Sequence, residues 1–545
     1  ALLSRAPSIW AVDATLFAMI AASGLVLMLW FRDRGWHWAG GLIAALAFCY
    51  GASMAWRIQH MGQVLSLAYL PFALLCMDRA LARRSLGYGA AAGLAVGFML
   101  LGRDQVALLA IYMLAAYAVW RIVSAQAPAA AIRGALPPAL VGGLACALLI
   151  ALPLIWTAQL AAESNRPGID YAGAARGSLH PALLLTLLAP NLYGAAGRME
   201  DYWGPPSFAW AGTDLFVAQN MGVLYLGAIP LLLVALAVLR GDLWRREIVF
   251  FAAAAAFFLL YALGKYTPLF QACYHLMPGV SLYRRPADAT FLVGGLLAIL
   301  AGYSVDRLIR DPDARLEHQD RHGIVLGFLF LVACAAAFGI AVEIDRVSLL
   351  PQPLALAGIS FALAAAVLLV GWRHLPRRPL VPALALALVT TADLAVNNGP
   401  SSATGLPVAT YDVLEPRTAN ATIAILKSSV VHAAQRRDRV ELAGLGFHWP
   451  NASITHRLEN TLGYNPIRLA LYSAAVGAED HVGLPDQRKF SPLFPSYRSR
   501  LADMLGLRWI ATGAPIETMD KRLSPGELPL VARLGDAFLY ENART

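Results

Sequence analysis

Charge is scarce in this chain, and lysine is scarcer still. Only 14% of its 545 residues are Asp, Glu, Lys or Arg, well below the roughly 25% of ordinary soluble domains. With 58% hydrophobic residues and a mean hydropathy of +0.57, the chain is neither an ordinary soluble protein nor a disordered one. Lysine supplies 4 of the 43 basic residues, a bias that reflects coding composition more than chemistry. Cysteine is equally sparse. Of the five, Cys49, Cys76, Cys146 and Cys334 fall inside apolar stretches, Cys273 lies just outside one, and none follows Cys334. That pattern excludes a disulfide framework and a zinc-ligand spacing. The net charge of +9 does not point to nucleic acid, because the arginines lie in short loops where membrane topology and anionic lipid headgroups account for them.

What the chain has instead is apolar length. Stretches near 10–31, 37–56, 62–77, 86–101, 105–120, 136–160, 222–239, 247–263, 290–304, 323–342, 350–371 and 379–396 are twelve predicted membrane spans. Each can cross a hydrocarbon layer of ~30 Å, some with tilt or snorkelling ends. The connections after the odd-numbered spans hold seventeen arginines, while those after spans two, four and ten hold one each: Arg57, Arg103 and Arg346. Basic residues resist translocation, so the arginine-rich side is expected to be cytoplasmic and the remaining loops extracytoplasmic.

The fold expected is mainly α: a polytopic helix bundle over 1–396, a linker rich in Asn, Ser, Gly and Pro over 397–405, and a small extracytoplasmic domain over 406–545. In that domain a helix (Ala421 to Val431), a strand (Arg439 to Leu445), a helix (Arg498 to Leu505) and strands at Arg508 to Thr512 and Ala537 to Tyr540 predict an α/β or α+β arrangement, with the sheet type open. Two outer loops, 161–221 and 264–289, exceed passive connections. Leu179 to Leu188 reads as a short helix along the membrane interface, and Tyr202, Trp203, Phe208 and Trp210 suit the headgroup zone. Apolar residues around Leu269 and Tyr274 predict another surface-lying or re-entrant helix.

Asp13 and Asp393 lie near outer ends of spans, where a carboxylate is either interfacial or functional. The outer loops carry more chemistry. Arg57 to His60, Arg103-Asp104-Gln105, Ser164 to Tyr171, Glu200 to Trp203 and Arg284-Arg285 share one membrane face in this topology. Guanidinium groups suit phosphate, aromatic faces and amides suit sugars, and a carboxylate can serve as base toward a hydroxyl. Together these are parts for a lipid-phosphate-linked sugar donor. His60 and His180 lack ligand-spaced partners, and Asp311 and Asp313 read as a solvated loop, so no metal site is assigned; a divalent metal stays an open question.

The order of motifs resembles the YfhO-type bacterial membrane protein family. The resemblance runs through Cys49-Tyr50-Gly51-Ala52-Ser53, Gln63 to Ser66, Leu70-Pro71-Phe72, Gly102-Arg103-Asp104-Gln105 and Ser164-Asn165-Arg166. It continues through Pro190-Asn191-Leu192-Tyr193-Gly194, Tyr225 to Pro230, Gly264-Lys265-Tyr266-Thr267-Pro268, Tyr283-Arg284-Arg285-Pro286, Gly463 to Leu469 and Leu505 to Ile510. Two positions depart from the family pattern: Arg103 stands in place of a histidine and Asp288 in place of a second arginine. The resemblance implies a GT-C-type glycosyltransferase of the bacterial inner membrane, using a polyprenyl-phosphate-linked sugar at the outer face. Its acceptor would be an envelope glycan, lipid or polymer. It further implies a catalytic acid in a first outer loop that this chain does not match, so the acid is expected upstream of Ala1 or the form is inactive; the opening Ala1 and the closing Phe538 to Asn542 make both ends read as incomplete. On that reading Arg284, Arg285, Arg103 and Arg166 hold the donor phosphate, and Asp170 or Asp201 is the candidate carboxylate. Gln105, Asn165, Tyr171, Asn191, Trp203 and Lys265 are candidate substrate contacts. Membrane lipids are expected partners and nucleic acid is not. The alternatives are a lipid-linked glycan transporter or flippase, and a non-catalytic envelope-assembly protein.

Overall fold

A computed structural model describes residues 9–165, 168–310, 319–374, 379–433, 435–465, 467–477 and 482–545. Among these, nine helices are long and apolar enough to cross a membrane: α1 (Trp10–Asp33), α2 (Trp38–Trp56), α3 (Met61–Arg83), α5 (Gln105–Val123), α6 (Pro128–Ala162), α9 (Pro286–Arg310), α10 (Arg321–Glu343), α11 (Pro351–Gly371) and α12 (Leu380–Asn397). Three shorter apolar helices, α4 (Leu86–Leu100), α7 (Ala228–Leu239) and α8 (Val249–Ala262), fall on the remaining predicted spans. The chain is therefore mainly helical and multi-pass, as its hydropathy predicts. Helices are the expected solution, because inside lipid every backbone N–H and C=O must be satisfied within its own segment.

The chain divides into two compact units, residues 1–154 with 168–405, and 155–167 with 406–545. In the first, α9 is the axis. Its apolar window is 94% buried, against 6% for α6 and 11% for α10, so α9 is enclosed by protein while those two expose their apolar surface. Small residues allow this enclosure. A Cβ on Gly302 would stand 2.4 Å from the Gly40 carbonyl oxygen, so α9 and α2 touch backbone to backbone. Packing of this kind drives helix association where lipid removes the hydrophobic incentive.

The ends of the helices are tied by polar side chains. The Tyr225 hydroxyl donates to both oxygens of Asp393 at 2.7 and 2.9 Å, and Ala228 N donates to the same carboxylate at 2.7 Å. Asp393 thus sits at the positive end of α7, a stabilising place for an anion. Trp56 Nε1 donates to Asn398 Oδ1 at 2.7 Å, and the Asn398 amide donates to the carbonyls of Tyr50 and Tyr225, both at 3.0 Å. The role of Asp393 in the fold is therefore to bind α12 to α7. Asp13 is exposed.

Two outer-loop expectations take a different form. Pro181–Leu187 is a 3-10 helix, and Leu179 and Leu183 are buried in the core rather than spread along an interface. Tyr202 and Trp203 are also buried, whereas Phe208 is exposed. Hydropathy alone cannot separate a loop that faces headgroups from one that folds back onto the helix ends.

The second unit contains a four-stranded sheet in the order β1 (Arg439–Ala443), β2 (Leu507–Thr512), β4 (Phe538–Glu541), β3 (Leu530–Arg533). β1 runs parallel to β2, and the other two pairings are antiparallel. Trp509 and Ala511 face a cluster with Ile423 and Leu426, while Leu507 and Ile510 face Phe494, Tyr497 and Ile516. Both sheet faces are therefore covered. β3 escaped sequence reading because it is a largely exposed edge without an alternating apolar pattern. A fully buried ion pair braces the unit. Arg488 Nε donates to Glu441 Oε1 at 2.7 Å, and Tyr497 and Thr461 donate to the same carboxylate at 2.6 and 2.8 Å. Burial pulls the Arg488 guanidinium down, but Glu441 and Tyr497 hold it above its ordinary value.

Gly302→Ala should lower the melting temperature in detergent, by a stability loss of roughly 1–3 kcal/mol for overpacking. Gly358→Ala, where a Cβ meets nothing within 4 Å, should be neutral or slightly stabilising. Equal behaviour of the two would show that the α2–α9 contact yields without cost.

Candidate functional site

Three helix ends of the first unit converge on a guanidinium. α2 ends at Trp56, and Arg57 follows with a side chain that is fully enclosed. Its Nη2 donates to Gln63 Oε1 at 2.6 Å and to Asp288 Oδ1 at 2.7 Å, while Gln63 Nε2 donates to Asp288 Oδ2 at 2.9 Å. The Phe291 ring lies 4.7 Å below the guanidinium carbon. Burial lowers the Arg57 pKa and the Asp288 charge opposes that fall. Arg57 Nε and Nη1 have no hydrogen-bond partner among the described residues.

Around this core lie groups that can titrate or bind. Arg285 Nε is 3.8 Å from Asp288 Oδ2, and its side chain is 39% exposed, which makes it the accessible cation of the cluster. His60 is depressed to about 4 by burial and then by Arg57 and Arg285, so it is neutral at pH 7. Its Nδ1 is buried and unpartnered among the described residues. Asp104 caps α5 by accepting from Ala107 N at 2.9 Å, and it accepts from the Ser66 hydroxyl at 2.7 Å. Burial nevertheless raises its pKa, with the nearby Asp288 charge adding to the rise.

Close backbone packing fixes the accessible arginine. A Cβ on Gly177 would lie 2.5 Å from both Arg284 O and Arg285 Cα, and Ala287 N donates to Gly177 O at 3.1 Å. Gly264, at φ +57°, presses on Ser178, whose hydroxyl accepts from Lys265 N at 2.9 Å. The 176–178, 264–265 and 284–288 segments thus form one unit around the Arg284-Arg285 pair.

Of the residues singled out by sequence, several meet here. Gln105 donates to the Tyr261 hydroxyl at 2.7 Å, the Tyr261 and Phe270 rings are 5.2 Å apart, and Phe270 stacks on Tyr171 at 5.8 Å. Asp170 caps the short helix Tyr171–Ala175 by accepting from Gly173 N at 2.8 Å. Lys265 reaches the Thr213 carbonyl. Arg103 is exposed and stands at φ +50°, with its carbonyl 3.5 Å from the Tyr283 hydroxyl.

Others belong elsewhere. Asn191 accepts from Ala196 N at 2.8 Å, Trp203 packs edge-on against Tyr193 at 4.7 Å, and Asp201 is exposed in a 3-10 turn. These three share a separate part of the long loop, linked to the cluster through Asn220, which donates to Trp56 O at 2.8 Å. Asn165 is in the second unit, where it exchanges hydrogen bonds with the Arg468 backbone at 2.9 and 3.1 Å. Arg166, Asp311 and Asp313 lie outside the described residues. Among the described residues no group of three His, Cys, Asp or Glu side chains could hold a metal ion.

Of the residues at the heart of the cluster, Arg57 is among the outer-loop segments singled out by sequence but has no role assigned there, and Gln63 and Asp288 are not selected by sequence as site residues. Two signals pointed to them: Arg57 is one of three arginines in the sparse connections, and Asp288 is an acid where the family resemblance has an arginine.

Asp288→Ala should destabilise the protein by roughly 3–5 kcal/mol, because it strands a buried charge. Arg57→Met combined with Asp288→Leu should recover most of that loss. Thermal unfolding in detergent checks both, and a double variant as unstable as the single one would refute the pairing argument.

No family model matches the chain, and no curated protein matches it. Two solved structures are similar to it. ArnT from Cupriavidus metallidurans in the apo state gives a TM-score of 0.44 at 16% identity, covering 97% of this chain and 83% of that one. The same protein bound to undecaprenyl phosphate gives 0.42 at 15% identity, covering 96% and 83%.

Proposed function

We propose that the protein is a membrane glycosyltransferase that takes its sugar from a polyprenyl-phosphate carrier, of the kind undecaprenyl phosphate represents. It would work at the membrane face carrying Arg57, Asp104 and Arg285, which the arginine asymmetry makes extracytoplasmic. The observation that carries this reading is an accessible arginine, Arg285, braced by a buried Arg57–Asp288–Gln63 lattice and accompanied by a desolvated carboxyl, Asp104.

The chemistry follows from charge. When the sugar leaves its carrier, negative charge grows on the phosphate. Arg285, with Arg284 and Arg103 assisting, meets that charge with forked, bidentate donors. The buried lattice holds the Arg285 segment in place, so little reorganisation accompanies the charge shift. A carboxylate must take the proton of the acceptor hydroxyl. Asp104 joins Asp170 and Asp201 as a candidate; like Asp170 it caps a helix, and it is favoured because it lies beside the Arg57–Asp288 lattice and burial raises its pKa. Tyr171, half-buried and stacked on the enclosed Phe270 and Tyr261 rings, offers an aromatic face beside the charges.

Transfer of a labelled sugar from polyprenyl-phosphate donors by the purified protein in proteoliposomes tests this reading. Arg285→Ala should lower kcat/KM by at least about tenfold, the equivalent of roughly 1.4 kcal/mol. Asp104→Asn should lower kcat by roughly 100-fold or more. The raised folded pKa of Asp104 means that its contribution to stability is present below the unfolded value and lost as pH rises through the folded one. Asp104→Asn should therefore be no less stable than the parent at pH 7. The same raised value places the acid limb of the pH–rate profile above about 4, the ordinary Asp pKa. Absence of transfer from every polyprenyl-phosphate sugar, with a folded protein, would sink the proposal.

A further inference from the structure

The other end of the first unit carries a second cluster of arginines that the proposed chemistry does not use. α1 ends at Asp33, α5 at Val123, and α8 begins at Val249, and a cavity of about 500 Å³ lies where they meet. Its wall includes Arg34, Arg121 and Arg246, one carboxylate in Glu247, and the rings of Tyr117, Trp120 and Phe250. This volume falls within the roughly 300–1,000 Å³ of sites for small organic ligands. A second cavity of about 330 Å³ shares Arg121 and Ala125 with the first. Its lining mixes Leu81, Ile122 and several alanines with Arg84 as its other charge, so aliphatic and polar surface are present in similar amounts.

The carboxylates near these arginines are already engaged. Asp78 accepts from Trp30 Nε1 at 2.8 Å, from the Tyr117 hydroxyl at 3.2 Å and from Arg121. Glu247 accepts from the Tyr303 hydroxyl at 2.5 Å. Arg34 Nη1 stands 3.9 Å from Asp78, donates to the Tyr117 hydroxyl at 3.2 Å, and its guanidinium lies over Trp36 at 4.9 Å. Arg246 donates to the Ser124 carbonyl and has no carboxylate within ion-pair distance among the described residues. Arg84 likewise has no ion pair among the described residues. The wall is therefore a set of oriented guanidinium groups with more positive charge than Glu247 and the nearby Asp78 offset, next to a hollow that carries aliphatic side chains.

We propose that this end of the bundle is a binding site for an anionic phospholipid, its phosphate on Arg34, Arg121 and Arg246 and the start of an acyl chain against the aliphatic side chains of the adjoining cavity. A phosphate needs bidentate, permanently charged donors, which arginine supplies in fixed geometry. Juxtamembrane basic groups of this kind attract anionic headgroups. Those aliphatic side chains favour an amphiphile over a free anion. The site is separate from the Arg57–Asp288 cluster, which is built at the ends of α2, α3 and α9.

Native mass spectrometry and thermal-shift titration of the purified protein test the assignment with phosphatidylglycerol, phosphatidylcholine and inorganic phosphate. Phosphatidylglycerol should bind and raise the melting temperature, phosphatidylcholine should not, and inorganic phosphate should be at least tenfold weaker. Arg246→Ala and the Arg84→Ala/Arg246→Ala double variant should weaken phosphatidylglycerol binding at least tenfold. Because neither arginine holds a buried carboxylate, both variants should fold, which size-exclusion chromatography checks. Undiminished lipid binding in both variants would overturn the location. Inorganic phosphate binding as well as the lipid would overturn the lipid assignment, and no binding of phosphatidylglycerol would overturn the proposal outright.

Discussion

The Arg57–Asp288 ion pair closes the end of the bundle where α2, α3 and α9 converge, and both side chains are out of water. A guanidinium is tolerable there only because a carboxylate, an amide and an aromatic ring share its surroundings. Removal from water costs several kcal/mol per ion, and the pair is retained only with such geometry. That requirement reaches outward. Gln63 must come from the first turn of α3 and Asp288 from the first turn of α9, so the helix starts are held in one arrangement. The Arg284-Arg285 segment immediately before Asp288 then has little freedom, and Gly177 packs against its backbone.

The same principle recurs wherever the helices end. Asp393 ties α12 to α7, Asn398 ties α12 to α2, and Asp78 gathers Trp30, Tyr117 and Arg121. Along the apolar parts of the helices, contact is made by small residues and close backbones instead. Polar side chains therefore fix positions at the two ends, and packing density fixes them between. Chemistry is expected at the ends for this reason: they are where charged groups can be held without full exposure to water.

Much of the fold was legible. Each of the twelve apolar stretches corresponds to a helix, because span length and hydropathy are local properties that the bilayer selects directly. In the second unit the core strands could be read, since Val440, Leu442, Ile510 and Leu539 are apolar and buried. β3 could not, being an exposed edge. The long loop was read as interfacial on hydropathy, yet Leu179, Leu183 and Trp203 fold into the core. An apolar loop has two ways of leaving water, into lipid or onto protein, and composition does not choose between them.

By itself the sequence determined the positions of the apolar helices, the uneven placement of arginine and the collection of polar residues in a few loops, since each is set by nearby residues and their transfer energies. Only the tertiary structure decided which of those polar residues act on one another. Arg57 finds its partner 231 positions away, Gln105 finds Tyr261 across 156, and Asp170 spends its carboxylate on the adjacent helix. Such pairings depend on where helix ends meet in space, and no local spacing encodes that.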